Sequence, residues 1–169
     1  MFSGPFEYNQ QNRIAIRAMS EILQRRLVEV IREELSGTYG VTVSPSYQRI
    51  PTQQYSISID FGSSPDRTDA LVKRVFDEIE KFKTEGPTEQ QVTDQRETLL
   101  RDFERNMKVN SYLVFQIQYR YENNEDPAGI WMLGDYYKKI DKPMIQDAAR
   151  KYLDPKRYVE VMLFPEKKP

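Results

Sequence analysis

Apolar positions along the chain change period several times, and each change marks a predicted element. Over residues 10–35 the apolar residues recur at three- and four-residue steps, which predicts one long amphipathic helix. The stripe comprises Ala15, Ala18, Met19, Ile22, Leu23, Leu27, Val30 and Ile31. Ser36-Gly37 follows directly, and glycine suits the left-handed turn that closes a helix.

Two later segments alternate apolar and small polar residues. Residues 39–43 and 55–61 carry β-branched and aromatic side chains at every second position, which predicts two strands with one buried face each. The connection over residues 48–54 is short enough for antiparallel pairing. A third strand is predicted over residues 158–164, where an apolar run ends at Pro165.

Capping residues divide the rest of the chain into further helices. Ser64-Pro65-Asp66 predicts a helix start, and Gly86-Pro87 predicts its end. Residues 88–91 read Thr-Glu-Gln-Gln, a capping box that opens the next helix, and Asp141-Lys142-Pro143 opens another. We therefore predict a single α+β domain over residues 1–169, with an antiparallel sheet and helices packed on one face.

The composition excludes several classes of function. The 169 residues include 25 Lys and Arg against 26 Asp and Glu, so the net charge of −1 argues against nucleic-acid binding. The sequence has 0 His and 0 Cys, which excludes a disulfide, a thiol nucleophile, a Ser-His-Asp triad and a histidine zinc site built from this chain. A carboxylate-only metal site stays open. The apolar runs are too short to cross a bilayer, so no membrane contact is predicted.

The junction between the first helix and the first strand holds the candidate chemistry. Arg32 lies in the predicted last helical turn and Tyr39 at the start of the strand, and the Ser36-Gly37 turn can bring both side chains together. A guanidinium and a phenol would then offer fixed donors to a carbonyl or a developing oxyanion. From the spacing alone, the simpler interpretation is a helix-terminal arginine favoured by the helix dipole and a half-buried strand tyrosine.

Aromatic residues concentrate between positions 112 and 137. They are Tyr112, Phe115, Tyr119, Tyr121, Trp131, Tyr136 and Tyr137. Such a set can line a peptide chamber, and packing in a core or interface is the simpler interpretation.

The longest motif of the chain, residues 25–41 (RRLVEVIREELSGTYGV), resembles the C-terminal domain of the pitrilysin/insulinase family of zinc metallopeptidases. Residues 55–62 (YSISIDFG), the GPTE run at 86–89 and the KYLDP run at 151–155 are similar to further segments of that family. The resemblance extends over residues 4–165 and implies a metallohydrolase-like half domain.

The resemblance implies a role beside a zinc site held elsewhere. In the family, two halves of similar fold enclose a chamber, and one half carries the inverted zinc motif H-x-x-E-H. This chain is similar to the half without zinc, so it would hold no cofactor, and Zn would belong to the parent enzyme's other domain. Arg32 and Tyr39 fall on the positions that hold the substrate carbonyl and stabilise the tetrahedral intermediate.

The implied partners are the zinc-binding half, in the same protein or in a partner subunit, and a peptide substrate. By itself the chain is expected to be inactive. A catalytically inactive scaffold subunit of the same superfamily is the alternative function, and an unrelated peptide-binding domain is a third. For the parent protein, the resemblance suggests a bacterial periplasm or cell envelope.

The resemblance also implies that the chain is a fragment truncated of its first strands. A complete domain of the family opens with further strands, whereas only residues 1–8 precede the first predicted helix here. The sheet should therefore expose an edge of unpaired backbone groups. We expect a neighbouring copy or a reordered terminus to cover that edge, and the first case would make the chain a homo-oligomer.

Overall fold

One antiparallel sheet and a set of helices make up the structure, a computed structural model that describes residues 1–35 and 40–164; the side chains of residues 33–35 are outside this description. The strands are β1 (Phe2–Pro5), β2 (Val41–Gln48) and β3 (Gln54–Phe61). The α-helices are α1 (Gln10–Leu35), α2 (Thr68–Glu85), α3 (Glu89–Asn106), α4 (Asn110–Glu122), α5 (Leu133–Lys138) and α6 (Lys142–Tyr152). A 3₁₀ helix over Pro127–Met132 precedes α5.

The sheet has β3 in the middle, in the order β1-β3-β2. The β2–β3 register runs from Val41 opposite Phe61 to Gln48 opposite Gln54. Val43 and Ile57 face the helices and are buried, while alternate positions on the other face are small and polar. This arrangement confirms the predicted α+β class, because period-two alternation places one apolar face against the helices.

Helix α1 is the central element of the core. It packs against β2, α2 and α6. Its predicted apolar stripe is buried except for Val30, which is half-buried, and Ile22, Leu23 and Leu27 are fully enclosed. Since burial of a Leu or Ile side chain contributes about 1.5–3 kcal/mol, this stripe is a principal stabilising feature of the domain.

Local capping residues set several helix ends as predicted. Gly86 ends α2 with φ 73°. Thr88 and Gln91 form the reciprocal capping box that starts α3. The predicted start of α2 at Ser64 is too early, because Arg67 N donates to Ser64 O and closes a turn before the helix begins.

The prediction of a strand over residues 158–164 is wrong. Tyr158 forms an isolated antiparallel bridge with Phe2, and Met1 and Val159 exchange two backbone hydrogen bonds of 2.8 and 2.9 Å. No described strand lies beside residues 160–164. An alternating pattern becomes a strand only where a neighbouring backbone supplies hydrogen-bond partners, and among the described residues of this segment only Tyr158 and Val159 have them. The terminus therefore covers the outer edge of β1 over a short distance.

Candidate functional site

Of the two predicted site residues at the junction between α1 and β2, the structure describes only Arg32. Arg32 lies in the last turn of α1 and is exposed. In the part of the chain that the structure describes, its side chain has no ion pair or hydrogen bond. Tyr39 lies outside the described residues, so its convergence with Arg32 stays a prediction.

Strand β2 runs back along α1 from this junction. Val43 N donates a 2.9 Å hydrogen bond to Gln24 Oε1, which ties the outer edge of β2 to the helix. Consecutive helix and strand are therefore antiparallel neighbours, and the surface beside β2 is bounded by α1.

A cleft of about 700 Å³, here called the β2 groove, follows this boundary. Thr42, at the junction end of β2, lines it, and Tyr47 lines its far end. Polar side chains of α1 and aromatic side chains of α4 and α5 complete the walls: Arg13, Arg17, Glu21, Gln24, Tyr112, Phe115, Tyr119 and Tyr137. The groove extends along β2 from Thr42 to Tyr47, which is roughly 20 Å at about 3.3 Å per residue, and its α1 wall ends at Gln24, more than two helical turns before Arg32.

The aromatic run is divided between the groove and the outer surface. Tyr112, Phe115, Tyr119 and Tyr137 line the groove. Trp131 is 65% exposed and Tyr121 is 69% exposed. Tyr137 is also part of the hydrophobic core and Tyr136 packs against that core, so the packing interpretation holds for these two residues, whereas a peptide chamber stays a prediction.

The far end of the groove is closed by a buried hydrogen-bond network. Arg13 donates to Tyr8 Oη (3.1 Å), Tyr119 Oη (3.2 Å) and Glu125 Oε2 (2.9 Å). The hydroxyls of Tyr8 and Tyr119 are hydrogen-bonded to each other. Arg120 is also buried and shares the Glu125 carboxylate at 3.4 Å. Two cations share one carboxylate, and two hydroxyls accept hydrogen bonds from Arg13, so these contacts fix the positions of the side chains.

Sequence reasoning missed this network, although α1 carried a signal for it. Arg13 stands one helical turn before Ile16 and two before Ser20, so it is a charge within the buried face of the helix. A buried charge requires a partner, and only the fold brings Glu125 to it.

Shifted pKa values keep Tyr8, Arg13 and Tyr47 in the protonated states that donate hydrogen bonds. Burial and the hydrogen bond with Tyr119 raise the pKa of Tyr8 well above its ordinary value, despite the nearby Arg13 charge. Burial alone would lower the pKa of Arg13, but its hydrogen bonds with Tyr119 and Glu125 outweigh this and raise the pKa. Burial also raises the pKa of Tyr47. These tyrosines stay protonated and Arg13 stays charged at neutral pH, so Arg13 and Tyr47, which line the groove, can bind and orient a ligand rather than exchange protons with it.

Residues 1–35 and 40–164 contain no group of three carboxylates placed to hold a metal ion. None of the helices in these ranges is both long and apolar enough to cross a bilayer.

Comparison with known proteins gives one matching family model and a set of similar structures. The model described as "Peptidase M16 inactive domain" matches residues 1–99. The chain matches no curated protein sequence.

Three solved structures show the same fold. The inactive peptidase domain of a protein described as a zinc protease from Bordetella parapertussis is 12% identical, with a TM-score of 0.80 over 99% of this chain and 89% of that one. The periplasmic protease PqqL from Escherichia coli is 22% identical, with a TM-score of 0.79 over 90% of this chain. The ferredoxin protease FusC, solved with Arabidopsis ferredoxin, is 18% identical, with a TM-score of 0.75 over 89% of this chain. This chain spans only 17% of PqqL and 16% of FusC.

Proposed function

Because the chain belongs to the peptidase M16 family as its inactive domain, we propose that it supplies the substrate-binding wall of a zinc peptidase. The zinc and the water-activating glutamate would belong to another half, carried by the same protein or by a partner subunit. The parent would hydrolyse peptide bonds, and this chain alone would cleave nothing, since its sequence contains 0 His.

Arg32 is the observation that carries this proposal. Its guanidinium is exposed at the end of α1, and in the described part of the chain it has no partner to hold it. An arginine there can donate to the carbonyl of a peptide held between the two halves. We assign Tyr39 the second donor, so that the pair would stabilise the oxyanion that forms opposite the zinc.

The β2 groove extends this role beyond the reacting bond. A peptide bound at Arg32 would continue past Thr42 into the groove, where Arg17 and Tyr112 offer polar and aromatic contacts. Along β2 from Thr42 to Tyr47 the groove is long enough for roughly six extended residues at about 3.3 Å each. The proposed substrate is therefore an extended polypeptide segment, and the proposed location follows PqqL, which is periplasmic.

Reconstitution with a zinc-binding half tests the proposal. The chain is combined with the H-x-x-E-H half of its parent, and turnover of a quenched fluorescent peptide is measured for Arg32→Ala and Tyr39→Phe. Loss of one oxyanion donor should lower kcat about 100- to 1,000-fold. Arg101→Ala is the matched control, because Arg101 is an exposed arginine on α3, away from the groove, and should leave kcat unchanged.

The alternative function, a catalytically inactive scaffold subunit, makes the opposite prediction. A scaffold has no use for an oxyanion donor, so activity of its assembly would not respond to either substitution. Unchanged turnover in both variants, with the zinc half shown to be active and bound, would refute the catalytic role and favour the scaffold.

A further inference from the structure

The far end of the β2 groove holds more positive charge than negative charge. Arg13 and Arg120 both line the groove there and are 5% and 7% exposed. Within residues 1–35 and 40–164, the Glu125 carboxylate is the one acidic group at ion-pair distance from either side chain. Two buried cations therefore share a single negative charge, and one positive charge has no counter-charge.

Arg120 is the less well bonded of the two guanidinium groups. Its contacts are to Gln10 Oε1 at 3.2 Å, Glu125 Oε2 at 3.4 Å and Asp126 O at 3.5 Å, which are at or beyond the upper end of the usual N–H···O range. Arg13 contacts the same Gln10 and Glu125 oxygens at 2.9 Å. The Nε atoms of both arginines are buried and have no acceptor in the described part of the chain. The network is therefore short of acceptor oxygens as well as of negative charge.

The other charges near this network do not restore the balance. Glu122 and Asp126 are the acidic residues nearest to Arg120 and Glu125 along the chain, and both are exposed. Each already accepts a hydrogen bond from a nearby residue, and water screens their charge. Arg49 donates to the carbonyl of Asn123, so it adds a further cation close to Glu125.

A ligand carboxylate would supply the missing charge. A buried charge without a partner is costly, and a guanidinium binds a carboxylate with strong, charge-assisted hydrogen bonds. The β2 groove, at about 700 Å³, has room for such a ligand. We propose that Arg13 and Arg120 form a subsite for a carboxylate of the bound peptide, here called the carboxylate subsite. This assignment rests on the proposed function, because it takes the groove to be the place where the substrate binds.

The length of α1 sets the distance from this subsite to the reacting bond. Arg13 lies 19 positions before Arg32 on the same helix, which is roughly 28 Å at about 1.5 Å per residue. An extended peptide covers that distance with roughly eight or nine residues at about 3.3 Å each. The preferred substrate should therefore carry a carboxylate, on an acidic side chain or at its C-terminus, about eight residues from the bond that is cleaved.

Binding of matched peptides to the unmodified chain tests the subsite without a zinc-binding half. Isothermal titration calorimetry at fixed ionic strength compares three acetylated peptides of neutral residues. One ends in an amide, one ends in a free acid, and one ends in an amide but has a single Gln replaced by Glu. A carboxylate peptide should bind about tenfold or more tightly than the neutral amide. The free acid and the Glu peptide distinguish a terminal from a side-chain carboxylate. Equal affinities of all three, or no binding by either carboxylate peptide, would overturn the proposal.

Arg120→Met tests the residue assignment. The variant should bind the carboxylate peptide no more tightly than the neutral amide, and its melting temperature should stay close to that of the unmodified chain, because Glu125 keeps Arg13 as its partner. Arg101→Met, an exposed arginine on α3, is the matched control and should keep the full preference. A folded Arg120→Met protein that keeps the preference would refute the assignment. The peptide comparison needs no variant and decides the question if Arg120→Met does not fold.

Turnover by the reconstituted peptidase separates the subsite from the proposed function. Arg120→Met should raise KM for the carboxylate peptide about tenfold and leave kcat unchanged, whereas Arg32→Ala should lower kcat. A carboxylate preference without any effect of Arg32→Ala would support the subsite and refute the oxyanion role. A loss of kcat in Arg32→Ala without a carboxylate preference would support the oxyanion role and refute the subsite.

Discussion

Tyr152 offers a sharp test of the core packing, because its ring and its hydroxyl have opposite effects on stability. The side chain is 1% exposed. Its ring packs edge-to-face on Tyr55, with centroids 4.9 Å apart, and lies 5.7 Å from Phe6. Its hydroxyl is buried and has no hydrogen-bond partner in the described part of the chain. Tyr152→Phe therefore keeps the ring contacts and removes only a buried polar atom.

The expected effect at neutral pH is a gain in stability. A buried polar group left without a partner costs about 1–3 kcal/mol. Some of this cost is recovered in a relaxed structure, so we expect the free energy of unfolding of Tyr152→Phe to rise by about 1 kcal/mol. Tyr121→Phe, which removes a hydroxyl from a 69% exposed ring, is the control and should change it by less than about 0.5 kcal/mol.

Alkaline pH should increase the stability advantage of Tyr152→Phe over the unmodified chain. Burial raises the pKa of Tyr152 from 10.0 to about 12. Above pH 10 the unfolded chain ionises this phenol while the folded chain keeps it protonated, so the stabilising contribution is complete below pH 10 and is lost as the pH rises towards 12. At 1.36 kcal/mol per pKa unit, the loss is about 1.4 kcal/mol at pH 11 and approaches about 2.7 kcal/mol above pH 12. Phenylalanine has no such ionisation.

Urea unfolding at about pH 7 and about pH 11 measures both effects. The variant should be more stable at both values, and its advantage over the unmodified chain should be larger at the higher pH. Comparing the two proteins at each pH removes the shared contribution of the other buried tyrosines. A Tyr152→Phe protein that is less stable by about 1 kcal/mol at neutral pH would show that the hydroxyl has a stabilising partner and that the reasoning is wrong.

Two further substitutions test local strain and a half-buried ion pair, each by urea unfolding at neutral pH. Gly86→Ala should cost about 1–3 kcal/mol, because φ 73° with ψ −174° is a region essentially restricted to glycine, whereas Gly40→Ala should be close to neutral, since a Cβ there meets nothing within 4 Å. Equal effects of the two would contradict the strain argument. Arg26→Met should cost about 3 kcal/mol, because it leaves Glu78 without its 2.5 Å partner at a site where both side chains are 11% exposed. Arg105→Met breaks an exposed ion pair and should cost less than about 1 kcal/mol, and a similar loss in both arginine variants would refute the burial argument.

Helices were predictable here because their signals are local. The apolar stripe over residues 10–35 gave the bounds of α1, since a helix satisfies its backbone hydrogen bonds within itself. The reciprocal hydrogen bonds of Thr88 and Gln91 likewise need only residues three positions apart. The resemblance to zinc peptidases found in residues 25–41 also agreed with the matched family.

Features that depend on distant partners were not predictable in this way. Residues 158–164 have the pattern of a strand, yet among the described residues only Tyr158 and Val159 have backbone partners, which are Phe2 and Met1. The Arg13 network joins α1 to Glu125 across 112 positions, and no spacing rule connects the two. The β2 groove arises because β2, α1 and α4 meet in space.

The sequence by itself therefore determined the helices, the α+β class and the family, because periodicity and caps act over a few residues. Only the tertiary structure decided which strand pattern became a strand and which carboxylate pairs with Arg13. The physical reason is the range of the interactions. Helical hydrogen bonds close within one turn, whereas a strand or a buried charge is stable only when the fold brings a partner to it.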